Sequence, residues 1–572
     1  WITLSFLNSP LTIASHLIIF LSRDSKKGNG KKQNSKMGQP EPLAGLESGV
    51  ISGRTSSDLS QFPDKAELER LGRARPAVLK SWITEVGFVM TVVLSMTMSE
   101  YFIGGFNIIL PPVADALDIP ENTRTWPAGV INLTTAAFLM PFSRLCDIHG
   151  ARSVFLFGHI WFMIWSLVCG FSTNTIMLII CRALQGIGTS AFTPAGLALL
   201  GQTYRPGPRK NLVFAIWGAF ACLGFYFGIF LGAVCADFLT WRWYFWIGAI
   251  IVFCIAVTGF LTVPRNLHEQ DESIRMDWWG LCTIVPGLIL VVFAFTDGGH
   301  APHGWQTPYI YVTFIIGMLF LMAGVYTQGW VSAQPLLPAD LFRPKYMKRL
   351  SLALFCLYGV FGLYLFYSSY YIETVLDTTP ILTAAWFTPL AIGGVCLAVG
   401  GGFVMHMISN RILMMISSVG FLISVLLFAL IPDRVDGHPS TSFLYWAYIF
   451  PAMICGTIGV DITYNVTNVF ITTSMPRRLQ ATAGGLINTL LYLGLAFWLG
   501  IAEMAVSEAN RRKLPEGLSL RQQYKIGFWI GVAMAGLSLI LVLTIKIGQA
   551  ASELTADEKA AQAEREAAAA VN

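Results

Sequence analysis

Apolar residues fall in long blocks along the chain, separated by short breaks rich in Arg, Lys, Gly and Pro. Each block approaches or exceeds the roughly 20 mostly apolar residues that a helix needs to cross a bilayer. The pattern predicts fourteen helical spans, at about 82–110, 126–142, 153–171, 175–200, 212–236, 243–263, 278–296, 308–330, 351–371, 383–405, 412–431, 443–471, 481–504 and 527–547. Their length and lack of charge mark them as membrane spans, not as buried helices of a soluble core. Gly and Pro inside several of them are tolerated in lipid. The fold class that follows is all-α, a polytopic membrane protein.

The two ends of the chain read differently from its middle. It begins at Trp1, and the first methionine is Met37. Residues 1–36 are expected to be translated upstream sequence, with Met37 the true start; N-terminal sequencing of the mature protein tests this. Residues 11–21 are apolar but too short to span, and no basic segment precedes them, so they make a poor signal peptide. From Gly38 to about Lys80 the chain is polar and rich in Pro, Gly, Ser and charge, the composition of a disordered tail. Residues 551–572, rich in Ala, Glu and Lys, are expected to form a soluble helix or a frayed coil.

Composition excludes most alternatives. Only 12% of residues are charged and 54% are hydrophobic, against about 25% charged in a soluble domain. The net charge of +5 matters less than its placement. Arg144/Arg152, Arg205/Arg209/Lys210, Arg265/Arg275, Arg343/Lys345/Lys348/Arg349, Arg411 and Arg477/Arg478 all fall in breaks on the side of the basic N-tail. That is a topology signal, placing both termini in the cytoplasm, and not a nucleic-acid footprint. The opposite breaks hold only Arg124, Arg242 and Arg434 until the last, 505–526, which carries Arg511, Arg512, Lys513, Arg521 and Lys525 and violates the rule. The ten cysteines show no CxxC or metal-ligand spacing and read as small packing residues. There is no GxxxxGK[ST], HExxH or GxSxG. The expectation is therefore no enzyme, no cofactor and no metal, with energy drawn from a gradient, a proton gradient first.

The break after the second span reads Ser143-Arg144-Leu145-Cys146-Asp147-Ile148-His149-Gly150-Ala151-Arg152. It resembles the cytoplasmic signature of the major facilitator superfamily, Gly-x-Leu-x-Asp-x-x-Gly-Arg-Arg/Lys. Leu145, Asp147, Gly150 and Arg152 match; Ser143 and Ala151 depart. Asp147 with Arg144 and Arg152 is expected to pair ions and cap helix ends as a cytoplasmic gate; the plainer alternative is a positive-inside loop. The fourth span carries Arg182-Ala183-Leu184-Gln185-Gly186-Ile187-Gly188, which resembles the RxxQGxG motif of drug:proton antiporters in that superfamily. The fifth, Gly224 to Ala233, resembles GxxxGPxxGG: Gly224, Gly228 and Gly232 match, while Ile229 stands in place of the proline and Ala233 in place of a glycine. Glycines four apart also suit plain close helix packing. Trp241 to Trp246 is similar to the family's WRWxFxI.

Fourteen spans point to the fourteen-helix drug:proton antiporter (DHA2) branch. The stretch Gly459 to Asn468, followed by Gln480 to Asn488, resembles the fungal group of aminotriazole-resistance, boron-efflux and low-affinity ammonium transporters. The resemblance implies a major facilitator fold of two six-helix halves plus two inserted helices. The division is a tail 1–81, a first half 82–263, a linker pair with its loop 264–350, a second half 351–547 and a C-tail 548–572. The first span departs from the branch: Asn107, Leu110 and Pro111 align, but Phe102 stands where the branch has Asp, and Glu100 lies nearby on another helical face.

Polar groups inside lipid are expensive, about 2.5–3.5 kcal/mol for an Arg or Asp at mid-span on insertion scales, and should face protein or water. Asp461, with Asn465 and Asn468 at i+4 and i+7, is the first candidate for a protonatable or cation-binding site. Glu100 is the second. Asn107, Arg182 and Gln185 are candidate cavity residues, and Asn488 is placed to complete a network with the Asp461 stripe. In the family the arginine of RxxQGxG is implicated in proton transfer, so Arg182 is expected to tune the acid; the alternative is an arginine satisfied by backbone carbonyls. Asn132 and Thr135 are weaker candidates. The aromatics Tyr364, Phe366, Tyr367, Tyr370 and Tyr371 either line an apolar path or fill the core.

The function expected is secondary active transport, proton-coupled efflux of a small toxic or secreted molecule by alternating access. Facilitated movement of a small polar solute such as ammonium or borate is the alternative, and a non-transporting membrane sensor is the alternative of another class. The expected partners are a small-molecule substrate and the lipid bilayer, with no nucleic acid, the chain acting as a monomer. The plasma membrane is the first location, the vacuolar membrane the second.

Overall fold

The computed structural model describes residues 70–545, apart from 71, 121–122, 206, 266–273, 345, 405–407, 434–438, 475–476 and 514–515. The C-tail 548–572 and nearly all of the tail 1–81 lie outside the described residues. The fourteen expected spans are all helical, within a few residues at most ends. They are α1 (Trp82–Ala116), α2 (Thr125–His149), α3 (Ala151–Cys169), α4 (Thr175–Thr203), α5 (Pro208–Phe238), α6 (Trp241–Thr262), α7 (Trp278–Gly298) and α8 (Pro308–Tyr326). The second set is α9 (Met347–Tyr370), α10 (two segments, Pro380–Trp386 and Thr388–Val404), α11 (Asn410–Ala429), α12 (Thr441–Leu444 and Phe450–Ser474, joined by a π-helical turn), α13 (Arg477–Arg512) and α14 (Leu520–Leu543).

Local chemistry sets the ends. Ser81 and Ser519 open α1 and α14 with reciprocal capping boxes, to Thr84 and Gln522. Asn174 and Asp277 cap α4 and α7 by accepting from Met177 N and Gly280 N. Where the sequence suggested a ten-residue loop at 143–152, α2 instead runs on to His149, and Gly150 alone separates it from α3. Its φ of +84° is the reason a glycine stands there.

Among the described residues thirteen helices are long and apolar enough to cross a membrane by length and composition. The fourteenth, α2, carries Asn132, Thr134, Thr135, Arg144 and Asp147, and lies largely inside the bundle. In α9, 83% of the apolar window is buried; in α8 only 22% is, leaving Ile315, Leu319, Met322 and Val325 outward. Such a belt of exposed apolar side chains is stable in lipid and not in water.

Helices α1 to α6 pack mainly among themselves, as do α9 to α14. The two groups meet along α2 against α13 and α5 against α10, while the α7–α8 hairpin leans on α2 and α13. The bundle end at which α1 begins is called the tail end below, and its opposite the far end. The basic cluster expected in a far-end loop at 505–526 is mostly helical, because α13 continues to Arg512. Arg511 bonds the Gly299 and Ala301 carbonyls, Arg512 pairs with Glu508 at 2.9 Å, and Arg521 pairs with Asp433. Arg511 and Arg521 thus hold far-end loops, while Arg512 pairs within α13.

Candidate functional site

Two acids lie near Cys222 at the seam between the helix groups. Asp461 projects from α12 and is buried. Its Oδ1 accepts from Cys222 Sγ of α5 at 3.0 Å, while Oδ2 has no partner. Gly394 of α10 makes the space: a Cβ there would stand 3.0 Å from Oδ2 and 2.9 Å from the Cys222 Cβ. Also across the seam, Trp217 of α5 lies against Tyr464 of α12, ring centroids 5.7 Å apart. Glu100 of α1 is within electrostatic reach of Cys222, Tyr464 and Tyr492. The adjacent Ser99 Oγ is 3.3 Å from the Tyr492 hydroxyl of α13.

Glu100 and Asn107, two turns apart on one face of α1, are half-buried where their neighbours are buried. Among the described residues neither Glu100 nor Asp461 has an ion-pair partner. A carboxyl in lipid without a countercharge either takes a proton or takes a cation.

The other sequence candidates have different company. Arg182 is fully buried; its Nε donates to the Pro127 carbonyl at 2.6 Å and an Nη to the Phe102 carbonyl at 3.3 Å. Its guanidinium carbon sits 3.6 Å from the Phe106 ring centroid. It thus ties α1, α2 and α4 through backbone and ring, with no carboxylate among its described partners. Gln185 donates to Ser166 Oγ at 2.8 Å and so joins α4 to α3. Asn465, Asn468 and Asn488 each donate to a carbonyl one turn back on their own helix, those of Asp461, Tyr464 and Gly484. The i, i+4, i+7 stripe is real, but Asn488 is occupied within α13. Thr135 reaches the Ile131 and Gly186 carbonyls and belongs to the α2–α4 contact, and Asn132 is buried with its Oδ1 unpartnered. Tyr364, Phe366, Tyr367, Tyr370 and Tyr371 are all buried.

The motif at the α2–α3 junction caps and staples. Arg152 donates to the Val263 and Phe260 carbonyls, both at 3.0 Å, at the end of α6, where exposed carbonyls and the helix dipole favour a cation. Arg144 reaches the Arg275 carbonyl and Gln334. Asp147 is half-buried beside Gly150. The glycines of α5 form a backbone-to-backbone crossing with α1: a Cβ at Gly224 would lie 2.6 Å from Thr97 Cα, and one at Gly232 2.9 Å from the Gly105 carbonyl oxygen. Gly228 faces Tyr101 and Gly105 in the same way.

Sequence reasoning missed two acids. Glu85, in the first turn of α1, takes a bidentate pair from Arg209 of α5 at 2.8 and 2.6 Å and a bond from Tyr204 at 3.0 Å. Its place near a span end gave it the look of an interfacial residue, and its partner stands 124 positions away. Glu503 of α13 is buried near the far end, inside an apolar run that was the available signal.

The chain matches the model of the Major Facilitator Superfamily over residues 89–499. It is 31% identical to the low affinity ammonium transporter of Saccharomyces cerevisiae, over 81% of this chain and 89% of that protein. It is 28% identical to the efflux pump terJ of Aspergillus terreus, over 90% of this chain and 98% of that one. Its fold resembles a crystal structure of the peptide transporter POT in complex with sulfate, with a TM-score of 0.56 and 14% identity, over 83% of this chain and 96% of that one. With a family match over most of its length, this many-spanning helical chain belongs to the Major Facilitator Superfamily and is an integral membrane transporter.

Proposed function

We propose that the protein exports a small molecule in exchange for protons, by rocking its two six-helix halves about the seam between them. The observation that carries this reading is the contact of Asp461 with Cys222. An intramembrane acid of one half is bonded across the seam to the other half, beside an unpaired Glu100. Rocking breaks that bond and changes the water access of both carboxyls, so protonation and substrate binding alternate at one place. Arg182 acts on this site through the α1–α2–α4 geometry it fixes, and not as a countercharge. The relative named as an efflux pump supports the direction. Basic tail-end breaks support a cytoplasmic tail end, with the plasma membrane the expected location.

The test is made in proteoliposomes loaded with ethidium, with and without an imposed pH gradient. Gradient-driven ethidium movement that collapses with a protonophore supports antiport; movement independent of the gradient removes it. A second reading, facilitated passage of a small cation, is favoured by Ile229 in place of the motif proline and by the relative named as an ammonium transporter. Methylammonium flux down its own gradient, with no proton movement, supports that reading instead.

A further inference from the structure

A cavity lies at the far end, where α2 meets α13, and Asp461 is not among its lining residues. It has a volume of about 340 Å³ and is closed by α9, α13, α14, the start of α2 and the α7–α8 loop, within the size range of small-ligand sites. Its wall carries a density of unmet polar groups unusual for a protein interior. The hydroxyls of Tyr367 and Tyr370, each 2% exposed, have no hydrogen-bond partner, nor has Nε of Arg124. Both ring nitrogens of His300 are unpartnered too. Burial, helped by Arg511, pushes His300 down to about 4, so it faces the cavity as a neutral imidazole with one donor and one acceptor. Glu503, 8% exposed, lines the same space.

The two charges are separated along the wall. Glu503 acts electrostatically on Tyr367, and Arg124 on Tyr370 one turn further along α9. Among the described residues the ion-pair partner of Arg124 is an exposed Asp115 at 3.9 Å, and Arg511 is committed to the Gly299 and Ala301 carbonyls. The rings of Phe366, Tyr370 and Tyr524 line the same cavity. A carboxylate near Tyr367, a guanidinium near Tyr370 and an aromatic wall match a solute with an ammonium group, a carboxylate and an apolar body. We infer that this vestibule is a second solute site, which binds a small aromatic or apolar zwitterion between Glu503 and Arg124.

The site is separate from the seam acids, since its residues come from the far-end halves of α9 and α13 and from the α7–α8 loop. A solute held there would not touch Asp461, which is not among the lining residues.

Three probes with one body test the charge pair on the purified full chain in detergent: phenylalanine, phenethylamine and phenylacetate, by calorimetric titration. The expected result is that phenylalanine binds at least tenfold tighter than either single-charge probe. E503Q then weakens phenylalanine and phenethylamine about tenfold but not phenylacetate; R124Q weakens phenylalanine and phenylacetate but not phenethylamine. D461N leaves all three unchanged, which separates this site from the proposed proton pathway. Where a variant does not fold, the wild-type chain decides: phenylalanine protects Glu503 from an apolar carbodiimide, read by mass spectrometry. Equal affinities for the three probes, no binding of any of them, or labelling of Glu503 undiminished by phenylalanine would overturn the inference.

Discussion

The α1–α5 crossing can be tested with one methyl group. Gly224→Ala places a Cβ 2.6 Å from both the Cα and the carbonyl oxygen of Thr97, where ordinary contact begins near 3.4 Å. Both are backbone atoms, so no side chain can swing aside, and the helices must part by about 0.8 Å along this seam. A gap of that size forfeits about a quarter to a half of each facing dispersion contact, worth about 0.1–0.2 kcal/mol apiece. Over the roughly twenty atom pairs of one crossing this comes to about 0.5–2 kcal/mol. That agrees with the about 1–3 kcal/mol typical of overpacking. Gly218 is an internal control, because it lies on the same helix and a Cβ there meets nothing within 4 Å. Removing helical glycine entropy there should be neutral or stabilising by up to about 1 kcal/mol. Thermal unfolding in detergent, followed by thiol-reactive fluorescence at the buried cysteines, should show Gly224→Ala melting several degrees below wild type and Gly218→Ala at or above it. Equal melting of the two variants would refute the claim that the motif glycines act by permitting backbone contact.

Other consequences follow from single contacts. Removing one partner of the buried Glu85–Arg209 pair, as in Glu85→Gln, should cost about 3–5 kcal/mol, and the double variant less than the sum of the singles; a thermal double-mutant cycle reads this. Arg182→Lys, which cannot reach both carbonyls while covering the Phe106 ring, should lower thermal stability by about 1–3 kcal/mol yet leave the pH profile of transport in place; a shifted profile would restore Arg182 as a partner of the acid. His300 has a folded value near 4, below its ordinary 6.5, so the unfolded chain binds more protons between those values. Its contribution to stability is full above pH 6.5 and declines as pH falls toward 4; the stability of His300→Gln should depend less steeply on pH over that window.

The spans were readable because lipid imposes a length and a composition on them, and even α2, too polar to stand out by hydropathy, was marked by the breaks on either side. What a helix face does inside the bundle was not readable. Asn465 and Asn468 have the spacing of a polar stripe, but an amide on a helix can also bond its own carbonyl one turn back, and both do so. Arg182 carries the sequence mark of a proton-pathway residue, yet its Nε and Nη2 donate to carbonyls 55 and 80 positions away. The Cys222–Asp461 bond spans 239 positions and has no local signature. The glycine motif of α5 was visible, while its counterpart, Gly104 and Gly105 on α1, gained meaning only when the two helices were seen to cross.

In the proposed cycle a carboxyl must gain and lose a proton where the two halves meet. Proteoliposomes holding ethidium and a pH-sensitive dye, prepared with wild type, Cys222→Ala and Asp461→Asn, measure solute and proton flux together. The predicted result is ethidium movement with opposing proton movement in wild type, both present but slower in Cys222→Ala, and no coupled proton movement in Asp461→Asn. Proton flux that stays coupled to ethidium in Asp461→Asn would contradict it.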